Sequence, residues 1–186
     1  MPLLHPSIGV GGACIPLAGR YLASICESPM SCAAQASSDA HYGAVAHLLS
    51  GLGRVVFLGV GYKAATPYTP TAPAVRILRE LPREVEVAAF AEPDEDTALR
   101  RDFPGVRLLG WPDEFGGHKG DALVIPVASD RARALTEASF RRANPYRMVL
   151  DNEGVLSHLP DSLWRDIGTD YRVPGRCGWL TPSVAP

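Results

Sequence analysis

From residue 54 onward, short apolar runs alternate with amphipathic segments. Runs such as VVFLGV (55–60) and ALVIPV (122–127) contain no polar residue, which is typical of strands buried on both faces. Helix-like segments such as PAVRILREL (73–81) and EDTALRRDF (95–103) separate such runs. This alternation predicts an α/β fold with a parallel sheet and covering helices. The remaining strand candidates are 84–92, 106–110 and 148–152, and a further helical stretch ends near Arg142.

A long helix is predicted ahead of the sheet. Ser28 followed by Pro29 is a helix-start signal. Apolar positions recur at roughly helical spacing between Cys32 and Leu49, the segment is rich in alanine, and Gly51 or Gly53 ends it. A shorter helix is expected near 19–25. The pattern therefore divides the chain into segments 1–53 and 54–186.

Composition narrows the class of protein. The 186 residues are 46% hydrophobic and 20% charged, with a net charge of −2. A net charge this small gives no strong electrostatic attraction to nucleic acid or to a membrane surface. No apolar run approaches the ~20 residues that are needed to cross a bilayer. The start, MPLLHPSIG, lacks the features of a signal peptide, so we expect a cytoplasmic protein.

Metal binding is not expected. The four cysteines show no CxxC spacing, which favours reduced thiols over a zinc or dithiol site. His41 and His47 are six residues apart and so lie on different helix faces, whereas a helical metal pair needs a spacing of four.

The most distinctive local chemistry is one cysteine that follows a glycine-rich turn. Gly9, Gly11 and Gly12 permit backbone conformations and close approaches that a Cβ would block, and they precede Cys14. One interpretation is a thiol beside a phosphate or a sugar. The alternative is a small buried cysteine in an ordinary loop. His5 could fold back towards the thiol and favour the thiolate, or it is a surface histidine near a frayed terminus.

Two segments resemble one enzyme family. GVGGACIP (9–16) followed by YL resembles the catalytic-cysteine segment GVGGHCIPVDPYYL of nucleotide-sugar dehydrogenases, the UDP-glucose, GDP-mannose and UDP-ManNAc dehydrogenases. Residues 55–73, VVFLGVGYKAATPYTPTAP, are similar to the family's VAVLGLAYKPNTDDLRESP without a gap. Weaker echoes continue along most of the chain. The resemblance implies a remnant of the central domain at 1–53 and the Rossmann-like C-terminal domain, which binds UDP in the family, at 54–186.

The same resemblance implies that the family's oxidation is lost. The family's N-terminal NAD domain carries GxGxxG, and no such motif opens a strand and helix here. We therefore expect no cofactor on this chain alone, with NAD only through a partner. The family's catalytic Asp is matched by Ala18, and its acidic pair and Arg by Pro67, Tyr68 and Pro70. A methyl group cannot assist proton transfer, and a proline cannot pair with phosphate.

Further site candidates follow the strands. The resemblance implies that Tyr62 and Lys63 contact a nucleotide sugar, although Lys63 could simply cap the sheet edge. Tyr68 could stack on a base or sugar, or be an idle loop tyrosine. Asp151 and Glu153 follow a strand and could serve as acid or base, or be solvated loop acids. The last candidate is Arg176, which matches a basic residue near the family's end and is assigned to a phosphate or a partner subunit.

Three functional hypotheses follow. The first is a non-redox enzyme of specialised-metabolite or sugar biosynthesis that uses Cys14. The second is a non-catalytic nucleotide-sugar binder or partner subunit. The third is a dehydrogenase fragment completed in trans by an NAD-binding chain. Because the family builds its dimer on the corresponding long helix, we also expect a homodimer through residues 31–50, with no nucleic acid and no membrane as partners.

Overall fold

The computed structural model describes residues 7–12, 14–26, 28–64, 66, 68, 70–116, 121–142, 146–175 and 179–180. Its centre is a six-stranded, all-parallel sheet. The strands are β1 Arg54–Phe57, β2 Glu86–Ala89, β3 Arg107–Leu108, β4 Ala122–Ile125, β5 Met148–Asp151 and β6 Asp170–Arg172. Their spatial order is β3-β2-β1-β4-β5-β6, with β1 in the middle, where Val56 pairs with Ala88 and Leu123. The predicted α/β fold with a Rossmann-like parallel sheet is confirmed.

Two helices precede the sheet, as predicted. They are α1 Cys14–Cys26 and α2 Pro29–Ser50. The hydroxyl of Ser28 caps α2 by accepting from the Ser31 N–H, Pro29 opens the helix, and Gly51 ends it. The later helices are α3 Pro73–Glu80, α4 Pro93–Asp102, α5 Asp130–Arg133, α6 Glu137–Arg142 and α7 Asp161–Asp166.

The first helix starts earlier than predicted. The sequence suggested a short helix near 19–25, but α1 begins at Cys14 and includes Pro16. A proline is tolerated in the first turn, because the N–H groups there have no partner within the helix. The thiol of Cys14 is therefore carried by a helix and not by the turn itself.

The C-terminal third also differs in detail. The single helical stretch expected to end near Arg142 is two short helices, α5 and α6, and Ser129 caps the first of them. Strand β6 was not predicted, because its sequence DYR carries no apolar run. It lies at the sheet edge, where Arg172 binds Asp170 and the carbonyl of Trp179.

The sheet separates two hydrophobic clusters. Val55 and Phe57 belong to the cluster beneath α2 and α3, whereas Val56 and Leu58 belong to the cluster on the other face. This division follows from the two-residue period of a strand. The second half of α2 joins the first cluster through Tyr42, Val45, Ala46 and Leu49. No described helix is both long and apolar enough to cross a membrane.

Candidate functional site

A crevice opens where the carboxyl ends of β1 and β4 diverge. This is the topological switch point of the sheet, because the chain order reverses between these two strands. The crevice has a volume of about 300 Å³. Its lining includes Gly59, Gly61, Lys63, Glu95, Ser129 and Arg131.

The cations of this crevice differ in their surroundings. Arg131 is held by Glu92, 3.3 Å from a carboxylate oxygen, and donates to the carbonyl of Ala91 at 3.0 Å. Lys63 is exposed. The predicted position of Lys63 at a ligand-binding edge is therefore consistent with the fold, and its contact with a ligand stays a prediction.

Glu95 is a feature of the crevice that the sequence interpretation missed. Its side chain is 3% exposed, and both carboxylate oxygens lie 3.2 Å from the N–H of Val60 in the turn after β1. It also accepts from the N–H of Glu92 at 3.0 Å, which forms a capping box on α4. The available signal was a glutamate at the third position of a helix that opens with Pro93.

The glycine-rich turn lies across the same edge of the sheet. The N–H of Ile8 donates to Asn152 Oδ1 at 2.7 Å, and Asn152 Nδ2 donates to the carbonyl of Pro126 at 2.7 Å. At its other end, the N–H of Gly12 donates to the carbonyl of Thr71 at 3.3 Å, and the Thr71 hydroxyl donates back at 2.8 Å. Asn152 was not singled out from the sequence, although it directly follows β5.

The glycines of this turn make room for the protein itself. A Cβ on Gly9 would meet the ring of Tyr42, whose hydroxyl also donates to the carbonyl of Val10. A Cβ on Gly11 would meet the ring of Pro73, and a Cβ on Gly12 would meet the ring of Tyr62. The close approach expected of a ligand is therefore made by side chains, and ligand contacts of these three glycines stay a prediction.

Cys14 lies at the exposed end of this arrangement. It is the first residue of α1, it is exposed, and it forms no disulfide. The alternative of a buried structural cysteine is therefore wrong. Ala18 is also exposed and lies one helical turn along from Cys14, so the two share a helix face. The position that carries an Asp in the resembling family thus presents only a methyl group near the thiol.

The structure corrects the predicted exposure of Asp151. Its side chain is fully buried, and Oδ2 accepts from the N–H of Leu156 at 2.8 Å and from the Tyr171 hydroxyl at 2.8 Å. It therefore holds the turn after β5 and does not line an open binding edge. Glu153 is exposed on that turn.

Tyr68 is anchored to helix α4. Its hydroxyl donates to Asp102 Oδ2 at 3.0 Å. Burial and, second, the hydrogen bond to Asp102 raise the pKa of Tyr68 to about 12. This tether gives the ring a packing role, and stacking on a ligand stays a prediction.

The other predicted site residues, His5 and Arg176, lie outside the described residues. Among the residues that are described, no three His, Cys, Asp or Glu side chains are grouped as metal ligands.

Helix α1 exposes an apolar face. Its large exposed residues include Leu17, Tyr21, Leu22 and Ile25. In the first half of α2, by contrast, the exposed residues are mostly small, such as Ala36. A groove of about 260 Å³ lies between the two helices and the glycine-rich turn.

The strand order and the crevice at the switch point define a Rossmann-like α/β domain. The chain shares this fold with part of several nucleotide-sugar dehydrogenases. GDP-mannose dehydrogenase from Pseudomonas aeruginosa superposes with a TM-score of 0.65 at 19% identity, over 91% of this chain and 41% of that one. UDP-D-ManNAc dehydrogenase from Pyrococcus horikoshii superposes with a TM-score of 0.61 at 20% identity, over 95% of this chain and 41% of that one. UDP-glucose dehydrogenase from Pyrobaculum islandicum superposes with a TM-score of 0.62 at 19% identity, over 89% of this chain and 38% of that one.

The chain thus spans about two fifths of the length of these solved relatives. No protein-family model matches the chain, and neither does any curated protein.

Proposed function

We propose that this chain binds a nucleotide sugar at the carboxyl edge of its sheet, and that Cys14 acts there as nucleophile or acid-base group in a non-redox reaction. One observation carries the proposal. The ring of Tyr62 packs against Gly12, two residues before Cys14, and Lys63 directly follows that ring. The exposed cysteine and the exposed lysine therefore belong to neighbouring segments. The solved structures that share the fold are dehydrogenases of UDP and GDP sugars, which sets the class of ligand to test.

The non-redox part of the proposal rests on Ala18. A methyl group one turn from Cys14 accepts no proton, so the thiol lacks the carboxylate that the resembling family uses. We propose Cys14 as the reactive group, and we propose that Lys63 binds the phosphate of the substrate. Hydride transfer would need NAD from another chain.

Ligand binding is tested by thermal unfolding with UDP, GDP, UDP-glucose and GDP-mannose. Binding stabilises by mass action, by about 2.7 kcal/mol at a hundredfold excess over Kd. Lys63→Ala should remove this gain, whereas Arg83→Ala, an exposed cation in the turn before β2 at the opposite edge of the sheet, should keep it. Absence of a shift with all four compounds would overturn the proposal.

The role of Cys14 is tested by alkylation followed by mass spectrometry. Cys32 is the matched control, because it is also an exposed free cysteine and lies on α2. The bound nucleotide sugar should slow alkylation of Cys14 and leave the rate at Cys32 unchanged. Equal rates at Cys14 with and without ligand would separate the thiol from the binding site.

The second candidate is a partner subunit that docks through α1. The observation in its favour is the exposed apolar face of that helix, which includes Leu22 and Ile25. Contiguous exposed apolar surface is typical of protein interfaces. We propose a second copy of this chain as the occupant, because only Arg20 is charged within α1 and two such faces would not repel strongly. This moves the proposed dimer contact from residues 31–50 towards α1.

A further inference from the structure

The turn after β1 has the spacing of a dinucleotide-binding fingerprint. Residues 59–64 read GVGYKA, which matches G-x-G-x-x-G/A. In Rossmann folds such a turn lets backbone N–H groups and the N-terminus of the following helix hold a pyrophosphate. Gly59 adopts a left-handed conformation with φ +80°, as a tight turn requires.

In this chain, a carboxylate already fills that turn. A Cβ on Gly61 would lie 2.9 Å from Glu95 Oε1, so the second glycine makes room for Glu95 and not for a ligand. The N–H of Val60 donates to this carboxylate and not into the crevice. Glu95 thus contacts the turn as a bound phosphate oxygen would.

The positions of helices α3 and α4 also favour Glu95, and not a pyrophosphate, as the group bound at this turn. In the fingerprint, a helix begins directly at the turn, but α3 begins only at Pro73. The helix whose first turn faces the loop is α4, and Glu95 also accepts the N–H at its N-cap. Two donors of this region, the N–H groups of Val60 and Glu92, are therefore already bonded to Glu95. A dinucleotide pyrophosphate would have to displace Glu95 from its place beside Gly61.

We infer that Glu95 is a specificity residue that excludes phosphate from the turn after β1. As a carboxylate it repels an anion, and its oxygens already accept the N–H groups of Val60 and Glu92. A phosphorylated ligand of the crevice must then place its phosphate away from the Gly59–Gly61 part of the turn and near Lys63, later in the same loop. The inference concerns the turn alone and does not depend on the chemistry of Cys14.

The test is thermal unfolding with inorganic pyrophosphate. Glu95→Ala should bind pyrophosphate at least about tenfold more tightly than the unchanged chain, seen as a larger rise in Tm. Lys63→Ala is introduced into Glu95→Ala and into the reference chain of this comparison, so that binding at the lysine contributes to neither. The matched control is Asp151→Ala, which removes another buried carboxylate that accepts a backbone N–H. Pyrophosphate should not raise the Tm of Asp151→Ala more than it raises the Tm of the reference chain.

A second variant covers the case in which Glu95→Ala does not fold. Glu95→Gln keeps the shape and one acceptor oxygen but removes the charge, so pyrophosphate should stabilise it more than the unchanged chain. An equal response of the folded variants and the unchanged chain would overturn the inference, as would rescue of Asp151→Ala to the same extent. Absence of a thermal shift with UDP, GDP, UDP-glucose and GDP-mannose alike would overturn the proposed function and leave this inference standing.

Discussion

Tyr62 and Gly12 lie in contact across the carboxyl edge of the sheet, and a Cβ on Gly12 would come within 2.6 Å of the tyrosine Cζ. The contact joins the turn that leads to Cys14 with the loop that leads to Lys63. The two resembling segments, which are remote in sequence, thus meet in one surface.

Gly12→Ala should destabilise the fold and displace Tyr62. Gly12 has φ +89°, which an L side chain rarely adopts, and its Cβ would overlap the tyrosine ring. Strain of this kind costs about 1–3 kcal/mol, measured as the free energy of unfolding in urea. The control is Gly43→Ala in the middle of α2, where nothing lies within 4 Å of the new Cβ. That change should stabilise by roughly 0.5–1 kcal/mol, since alanine favours helices. Equal effects of the two variants would contradict the packing argument.

Asn152→Ala should release the glycine-rich turn from the sheet. The side chain receives the Ile8 N–H and donates to the carbonyl of Pro126, so both bonds are lost. We expect a loss of about 1–3 kcal/mol in unfolding free energy and faster hydrogen exchange at Ile8. Asn152→Asp keeps the acceptor and should retain more protection at Ile8. Unchanged exchange at Ile8 in Asn152→Ala would show that other contacts hold the turn.

Alkaline pH should destabilise the protein partly through Tyr68. Because the pKa of Tyr68 is about 12 in the folded chain, above the ordinary tyrosine value of 10.0, the folded state favours the neutral phenol. The stabilising contribution of the neutral Tyr68 is present below about pH 10 and is lost as the pH rises through 12. Tyr68→Phe should therefore show a shallower loss of stability between those values, measured as urea midpoints. Identical slopes for both proteins would remove Tyr68 as a cause.

Tyr146→Phe gives a comparison with Tyr68→Phe at neutral pH. Burial raises the pKa of Tyr146, so this residue also contributes to the alkaline loss. Its buried hydroxyl has no hydrogen-bond partner among the described residues, unlike that of Tyr68. At neutral pH, Tyr146→Phe should therefore leave stability unchanged or raise it, whereas Tyr68→Phe loses its bond to Asp102.

Leu22→Glu should convert a homodimer to a monomer. Leu22 is 47% exposed on the apolar face of α1, and a carboxylate there could not be buried against a second copy without a large desolvation cost. Light scattering coupled to size exclusion measures the mass. Ala36→Glu on the exposed side of α2 tests whether the contact extends into 31–50. A monomeric unchanged chain would overturn both versions of the interface.

Local patterns were sufficient for helices α2, α3 and α4 and for most strands. Ser28 and Pro29 predicted the start of α2 because capping depends on neighbouring residues. The apolar runs predicted β1, β4 and β5 because strands buried on both faces need such runs. Strand β6 escaped prediction because an edge strand with charged residues has no such pattern.

The sequence by itself determined the parallel α/β architecture, the long helix and the cysteine-bearing segment, since each depends on periodicity or on neighbouring residues. Only the tertiary structure decided which side chains enter the site. Glu95 reaches Val60 across 35 positions and Asn152 reaches Ile8 across 144, and no local pattern specifies such pairs. The same folding buries Asp151 and leaves Cys14 exposed, because strand and helix packing fixes which way each side chain points.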